Sequence, residues 1–160
     1  TLYNDSIVAQ IVKRFQKEDA VVIYVPDHGE ECYEEDRGFI CRNHSANIDW
    51  PLAHYEFEIP FWIYCSPKYI RNHRDIYRQI RKAKDKRFMT DALPHLLLYL
   101  AGIETPTYKE EYNILSPKYN EMRPRILKNS ADYDQLRDEH LEKVEKEKSK
   151  KEKSKKGDKK

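Results

Sequence analysis

The sequence lacks long apolar stretches and any recognisable leader. Its longest apolar runs, residues 20–25 and 59–65, are far shorter than the roughly 18 apolar residues of a membrane-spanning helix. No segment at the start resembles a signal peptide, because Thr1 leads directly into a helical pattern. We therefore expect the chain as given to be soluble and the two runs to form buried strands.

Cysteine is also scarce, and three residues are too few for a disulfide scaffold. Cys32 and Cys41 lie in one polar loop, which favours a single bridge in an oxidising compartment, with two free thiols as the alternative. Cys65 belongs to the second apolar run and is typical of a buried thiol. A bridge between Cys32 and Cys41 would indicate a location outside the cytoplasm.

Charge is abundant but unevenly distributed. The whole chain has a formal net charge of +2, while the last twenty residues carry ten lysines and five acids. Residues 1–140 therefore carry about −3, and a nucleic-acid partner, which would rest on the tail alone, is not expected. We predict a folded body over residues 1–133 and a Lys/Glu-rich, disordered tail over residues 134–160, because the tail has almost no apolar surface to bury.

Apolar periodicity predicts an α/β fold, since a helical stripe precedes a continuous apolar strand that ends at a polar loop. The helical stripe contains Ile7, Val8, Ile11, Val12 and Phe15 and is expected to pack on the sheet. The predicted elements are helix 2–17, strand 20–25, a long loop over 29–57, strand 59–65, a basic helix 71–86, a leucine-rich helix from 90 or 91 to 101, and short edge strands at 114–115 and 125–127.

The strongest chemical signal follows the first strand. Asp27 and His28 stand side by side there, followed by Gly29, which allows a sharp turn. A carboxylate and an imidazole at a sheet edge can ligate one metal ion, and this set of ligands suits zinc, or manganese or another divalent ion. The alternative is a turn that carries a solvent-exposed histidine.

Five stretches of the sequence, in this order and spacing, resemble the C-terminal half of phosphoethanolamine transferase catalytic domains of the alkaline-phosphatase/sulfatase superfamily. They are TLYNDSIVAQIVKRF, AVVIYVPDHGEE, GFICRNH, EIPFWIYCSPKY and TDALPHLLLYLAGIET. The resemblance covers roughly residues 1–130. It implies an alkaline-phosphatase-like sheet flanked by helices, of which this chain is only the C-terminal portion.

The resemblance also implies roles for individual residues. Asp27 and His28 would be zinc ligands, and His44 would be the catalytic histidine that meets the substrate phosphate. The interval from His28 to His44 is sixteen residues, longer than the family pattern, so His54 competes for that role. The family's threonine nucleophile and its remaining metal ligands would lie upstream of this chain, so the fragment alone is expected to be inactive.

The activity implied by the resemblance is zinc-dependent transfer of phosphoethanolamine from phosphatidylethanolamine to a lipid A or glycan acceptor. It would occur at the periplasmic face of the bacterial inner membrane, which the complete protein would reach through N-terminal spans absent from this chain. A sulfatase or phosphodiesterase on the same scaffold is the nearest alternative. A non-catalytic binding module with a basic tail is another.

Two further histidines have simpler interpretations. His95 lies on the leucine-rich helix, where a hydrogen-bonded core histidine is favoured over a metal ligand. His73 lies among the arginines of the basic helix, and this helix is most simply a solvated face. A weaker alternative is that the basic helix meets anionic lipid headgroups.

Overall fold

The computed structural model describes residues 2–34, 40–41 and 47–157, and the side chains of residues 2–34 and 47–150. The helices are α1 (Leu2–Phe15), α2 (Trp50–Phe57), α3 (Pro67–Asn72), α4 (Arg74–Ala83), α5 (Leu93–Leu100) and α6 (Tyr133–Gly157). The strands are β1 (Val21–Tyr24), β2 (Glu31–Cys32), β3 (Ile40–Cys41), β4 (Trp62–Cys65), β5 (Ile126–Leu127) and β6 (Ala131–Asp132). Short 3₁₀ turns occupy Thr90–Ala92 and Glu110–Tyr112.

The described chain contains both helices and strands, as the α/β prediction requires, although its strands pair only two by two. The described strands form three antiparallel two-stranded ladders, β1 with β4, β2 with β3 and β5 with β6. The chain divides into two compact units, one of residues 1–25 and 60–123, the other of residues 26–59 and 124–160.

The first unit is organised around β1 and β4, which the sequence predicted as buried strands. Their register pairs Val21 with Cys65 and Tyr24 with Trp62. The Tyr24 and Trp62 rings stack with centroids 5.3 Å apart, a contact that reinforces the pairing. Cys65 is a buried thiol, as expected, and burial raises its pKa.

The core of the first unit lies between the helices that follow β4. Its buried members are Ala83, Leu96, Ile114 and Leu115. The predicted edge strand at 114–115 is wrong: these residues lie in a turn, and their burial comes from packing against helices. From α5, Leu93, Leu96, Tyr99 and Leu100 contact this core, whereas Leu97 is 45% exposed.

Helix α1 carries the predicted apolar stripe, but the stripe is not buried. Ile7, Ile11 and Phe15 are 40%, 45% and 40% exposed, and no residue of α1 is fully buried. The packing of this stripe on the sheet is therefore only partial. A shallow groove of about 660 Å³ lies between α1 and the strands and is lined by Val8, Val12, Tyr24 and Trp62, among others.

The predicted basic helix over 71–86 is two helices. Helix α3 starts earlier than expected because Ser66 caps it, its Oγ accepting a hydrogen bond from the amide of Tyr69 at 3.0 Å. The chain then breaks at His73, and α4 follows. Helix α5 ends at Leu100, and Gly102 has a φ of +65° just past that end, a conformation that favours glycine.

The second unit contains α2, which the sequence analysis placed inside a long loop. Ala53, Leu127 and Tyr133 form its buried centre, with Trp50 and Leu136 packed against them. The tail, predicted to be disordered from residue 134, is instead helical to Gly157. Its first two turns pack on α2, since His140 stacks on Trp50 with ring centroids 5.3 Å apart. Among the described residues no helix combines the length and the apolar character needed to cross a bilayer.

Candidate metal site

Asp27 and His28 point to the same side of the loop after β1. The Nε2 atom of His28 lies 3.6 Å from Oδ2 of Asp27, and the other carboxylate oxygen accepts a hydrogen bond from the backbone amide of His28 at 3.0 Å. The side chain of Asp27 is 89% exposed and that of His28 is 25% exposed. The pair therefore presents one oxygen and one nitrogen next to each other at an accessible edge.

The other ring nitrogen of His28 fixes the tautomer. Nδ1 lies 2.7 Å from the carbonyl oxygen of Gly29. Because a carbonyl only accepts, Nδ1 carries the proton, and Nε2 of the neutral ring keeps its lone pair. Metal-ligating histidines almost always donate their second ring N–H in this way.

The spacing of the two donor atoms fits one ion. Two ligands of a tetrahedral zinc ion, each at about 2.0–2.1 Å, lie about 3.4 Å apart. The observed 3.6 Å between Nε2 and Oδ2 is close to this value. No third histidine, cysteine or acid is grouped with them among residues 2–34 and 47–150.

Gly29 holds the loop against α2. Its amide donates a hydrogen bond to the carbonyl of Glu56 at 2.9 Å. A Cβ atom at this position would meet the carbonyl oxygen of Tyr55 well inside the 3.0 Å that real Cβ atoms essentially never breach. Glycine is therefore required here for close backbone approach rather than for an unusual φ.

Two acids beside this loop are completely buried, although their sequence context does not distinguish them from the other acids of the segment. Glu31 of β2 is 1% exposed and Glu56 of α2 is 0% exposed. Both take part in hydrogen-bonding or electrostatic interactions. The only local hint of this burial is the position of Glu56 on the same face of α2 as Leu52 and Ala53.

His54, the alternative to His44, lies on α2 within a polar network. Its Nδ1 lies 3.0 Å from Oε1 of Glu58, and the same oxygen accepts a short hydrogen bond from the Tyr133 hydroxyl. Partial burial opposes ionisation of Glu58, but the hydrogen bonds from Tyr133 and His54 outweigh it and lower the pKa of the carboxyl. Burial and the Glu58 contact raise the pKa of Tyr133 to about 12. His54 thus has a structural partner of its own.

His44 lies outside the described residues, as does the side chain of Cys41. Cys32 is a free, exposed thiol, and the β2–β3 register pairs it with Ile40 rather than with Cys41. The predicted disulfide is not formed.

His95 and His73 each have a partner within the described residues. His95 accepts a hydrogen bond from the amide of Lys109 at 3.1 Å and contacts the rings of Tyr108 and Tyr112. His73 faces Asp19, with Nε2 3.3 Å from the carboxylate. The hydrogen bond from Asn72, and after it the contact with His73, lowers the pKa of Asp19.

The chain has detectable relatives. It is 31% identical over 143 residues, 84% of its length, to phosphoethanolamine transferase EptC of Escherichia coli O18:K1:H7 (strain RS218 / NMEC), and 30% identical to EptC of strain K12. Its structure matches the crystal structure of the C-terminal periplasmic domain of EptC from Escherichia coli with a TM-score of 0.66 and 29% identity over 84% of this chain. The chain is homologous to phosphoethanolamine transferase EptC.

The match to EptC is partial. The chain spans 23% of the length of these relatives and 38% of the crystallised periplasmic domain. A second structure of that EptC domain, in complex with Zn, matches equally well. No protein-family model matches the chain. The EptC homology confirms the predicted resemblance and fold class.

Proposed function

We propose that this chain supplies part of the zinc site of a phosphoethanolamine transferase. The observation that carries the proposal is the pairing of Asp27 Oδ2 with His28 Nε2 at 3.6 Å, in a chain homologous to EptC. The donor is phosphatidylethanolamine and the acceptor is a lipid A or glycan group, at the periplasmic face of the bacterial inner membrane.

Each residue of the loop has a defined part. The Asp27 carboxylate and the His28 Nε2 hold the ion, while the Gly29 carbonyl keeps the proton on Nδ1. When bound, zinc supplies positive charge against the negative charge on the transferring phosphoryl group. His44 meets the phosphoryl oxygens of the substrate.

Zinc affinity of the purified chain tests the metal assignment. We expect isothermal titration to detect weak binding, because two protein ligands leave a tetrahedral ion short of the usual three or four. Asp27→Asn and His28→Gln should each abolish it, since each removes half of the described ligands. His73→Gln is the matched control, because it removes a histidine that also faces an aspartate but lies in the other unit.

Zinc binding that is lost equally in all three variants would contradict the assignment. An assay with labelled phosphatidylethanolamine completes the test. We expect no turnover by these 160 residues alone; turnover would mean that the nucleophile lies within them.

A further inference from the structure

Helix α4 has one strongly basic side. At 3.6 residues per turn, Arg74, Arg78 and Arg81 fall within about 60° of one another around the axis, and Lys82 lies next to them. All four side chains are exposed. Ile76, Ile80 and Ala83 lie on the opposite side of the helix and pack into the core of the first unit. The basic side therefore faces away from that core.

Most of these cations have no counter-charge within the described residues. Arg78 lies 3.1 Å from Asp75, and this pair is exposed, with 69% and 85% of the two side chains accessible. Arg74, Arg81 and Lys82 form no salt bridge in the part of the chain whose side chains are described. Their positive charge is therefore open to an external partner.

The same sign continues along the chain on both sides of α4. Lys68 and Arg71 of α3 are exposed, as is Lys84 just after α4, whose Nζ lies 3.6 Å from the carboxylate of Asp85. Residues 1–140 as a whole carry about −3, so this segment is a basic region on an otherwise mildly acidic body. Such an asymmetry orients a molecule in front of an anionic surface.

We propose that the basic side of α4 docks on the anionic phospholipid surface of a membrane. Arginine and lysine side chains along a helix bind lipid phosphates through charge-assisted hydrogen bonds, and their long stems let the charges reach the headgroup layer. A core-facing helix presents these charges at fixed positions, which favours an extended surface of many phosphates over one small anion. The proposal is independent of the metal site, since it requires neither zinc nor Asp27.

Vesicle sedimentation with the full chain tests the inference. The chain should bind vesicles of phosphatidylglycerol mixed with phosphatidylcholine, and should not bind vesicles of phosphatidylcholine alone. Each basic residue near the surface is worth about a fivefold change in partitioning. The triple variant Arg74→Gln/Arg81→Gln/Lys82→Gln should therefore bind about 100-fold more weakly at low ionic strength. Glutamine is a good helix former, so α4 is expected to persist, as circular dichroism would verify.

The matched control removes three exposed lysines from α6: Lys143→Gln/Lys148→Gln/Lys150→Gln. It changes the net charge by the same amount and should keep most of the vesicle binding. An equal or larger loss in this control would overturn the inference, because the tail or the net charge would then account for binding. Binding of an RNA oligonucleotide that is lost in the α4 variant, with vesicle binding unchanged, would assign the surface to nucleic acid instead.

Discussion

Substituting Gly29 tests whether the loop that carries Asp27 and His28 depends on close contact with α2. In Gly29→Ala the new Cβ would overlap the carbonyl oxygen of Tyr55, so the loop must move by about 1 Å to restore an ordinary contact. That shift stretches the 2.9 Å hydrogen bond from Gly29 N to Glu56 O beyond the bonding range. Loss of the hydrogen bond lowers the free energy of unfolding by about 1 kcal/mol. The steric strain lowers it by about 1–3 kcal/mol more. Alanine returns about 0.4–1 kcal/mol by restricting the unfolded chain.

The net expectation is a loss of about 2–3 kcal/mol in the free energy of unfolding. Gly102→Ala is the matched control, because Gly102 has a φ of +65° and nothing within 4 Å of a built Cβ. There the cost is conformational alone, about 1 kcal/mol after the same unfolded-state gain. Urea unfolding followed by circular dichroism measures both, and hydrogen exchange of the α2 amides reports the unit that contains Gly29. A smaller loss in Gly29→Ala than in Gly102→Ala would refute the reasoning.

Two further predictions concern the second unit. Tyr133→Phe should cost about 1–2 kcal/mol, because it removes the hydroxyl that donates to the Glu58 carboxylate while leaving the ring in place. The pKa of Tyr133 is about 12 in the folded chain and about 10 in the unfolded chain. The stabilisation that Tyr133 provides is therefore fully present below pH ~10 and is lost as the pH rises toward ~12. Urea unfolding across this window should show a smaller loss of stability in Tyr133→Phe than in the unmodified chain. Truncation after Leu141 should leave the melting temperature unchanged, whereas truncation before Tyr133 should lower it by several degrees, since Tyr133 belongs to the core.

The elements that could be predicted are those whose signal is local. The strands β1 and β4 are runs of β-branched and aromatic residues, and Gly102 marks the end of α5. Helix α2 was missed because its buried face includes Glu56 as well as Leu52 and Ala53, which weakens the apolar period. A start signal was nevertheless present, since Asp49 caps the helix and accepts a hydrogen bond from the amide of Leu52 at 3.0 Å.

The candidate site likewise has features that depend on neighbouring residues and features that depend on long-range contacts. Asp27 and His28 are adjacent in sequence, so the motif alone was enough to predict that their side chains lie close together, as they do. The contact between Glu58 and Tyr133 joins residues 75 positions apart and has no local signature. The packed part of α6 also depends on a long-range contact, the stacking of His140 on Trp50, which exists only in the folded chain. Composition at residues 134–160 therefore predicted disorder where the structure begins with a packed helix.

Gly29 shows why the orientation of the candidate site depends on distant residues even though Asp27 and His28 are neighbours in sequence. Its carbonyl oxygen accepts the Nδ1 proton of His28, so the free lone pair of Nε2 is directed toward Asp27. Its amide bonds to Glu56, and its missing side chain lets the loop reach the backbone of α2. The position of α2 depends in turn on the core formed by Ala53 and Tyr133. The ring of His28 is thus fixed by one glycine whose place is set by a helix that the motif does not contain.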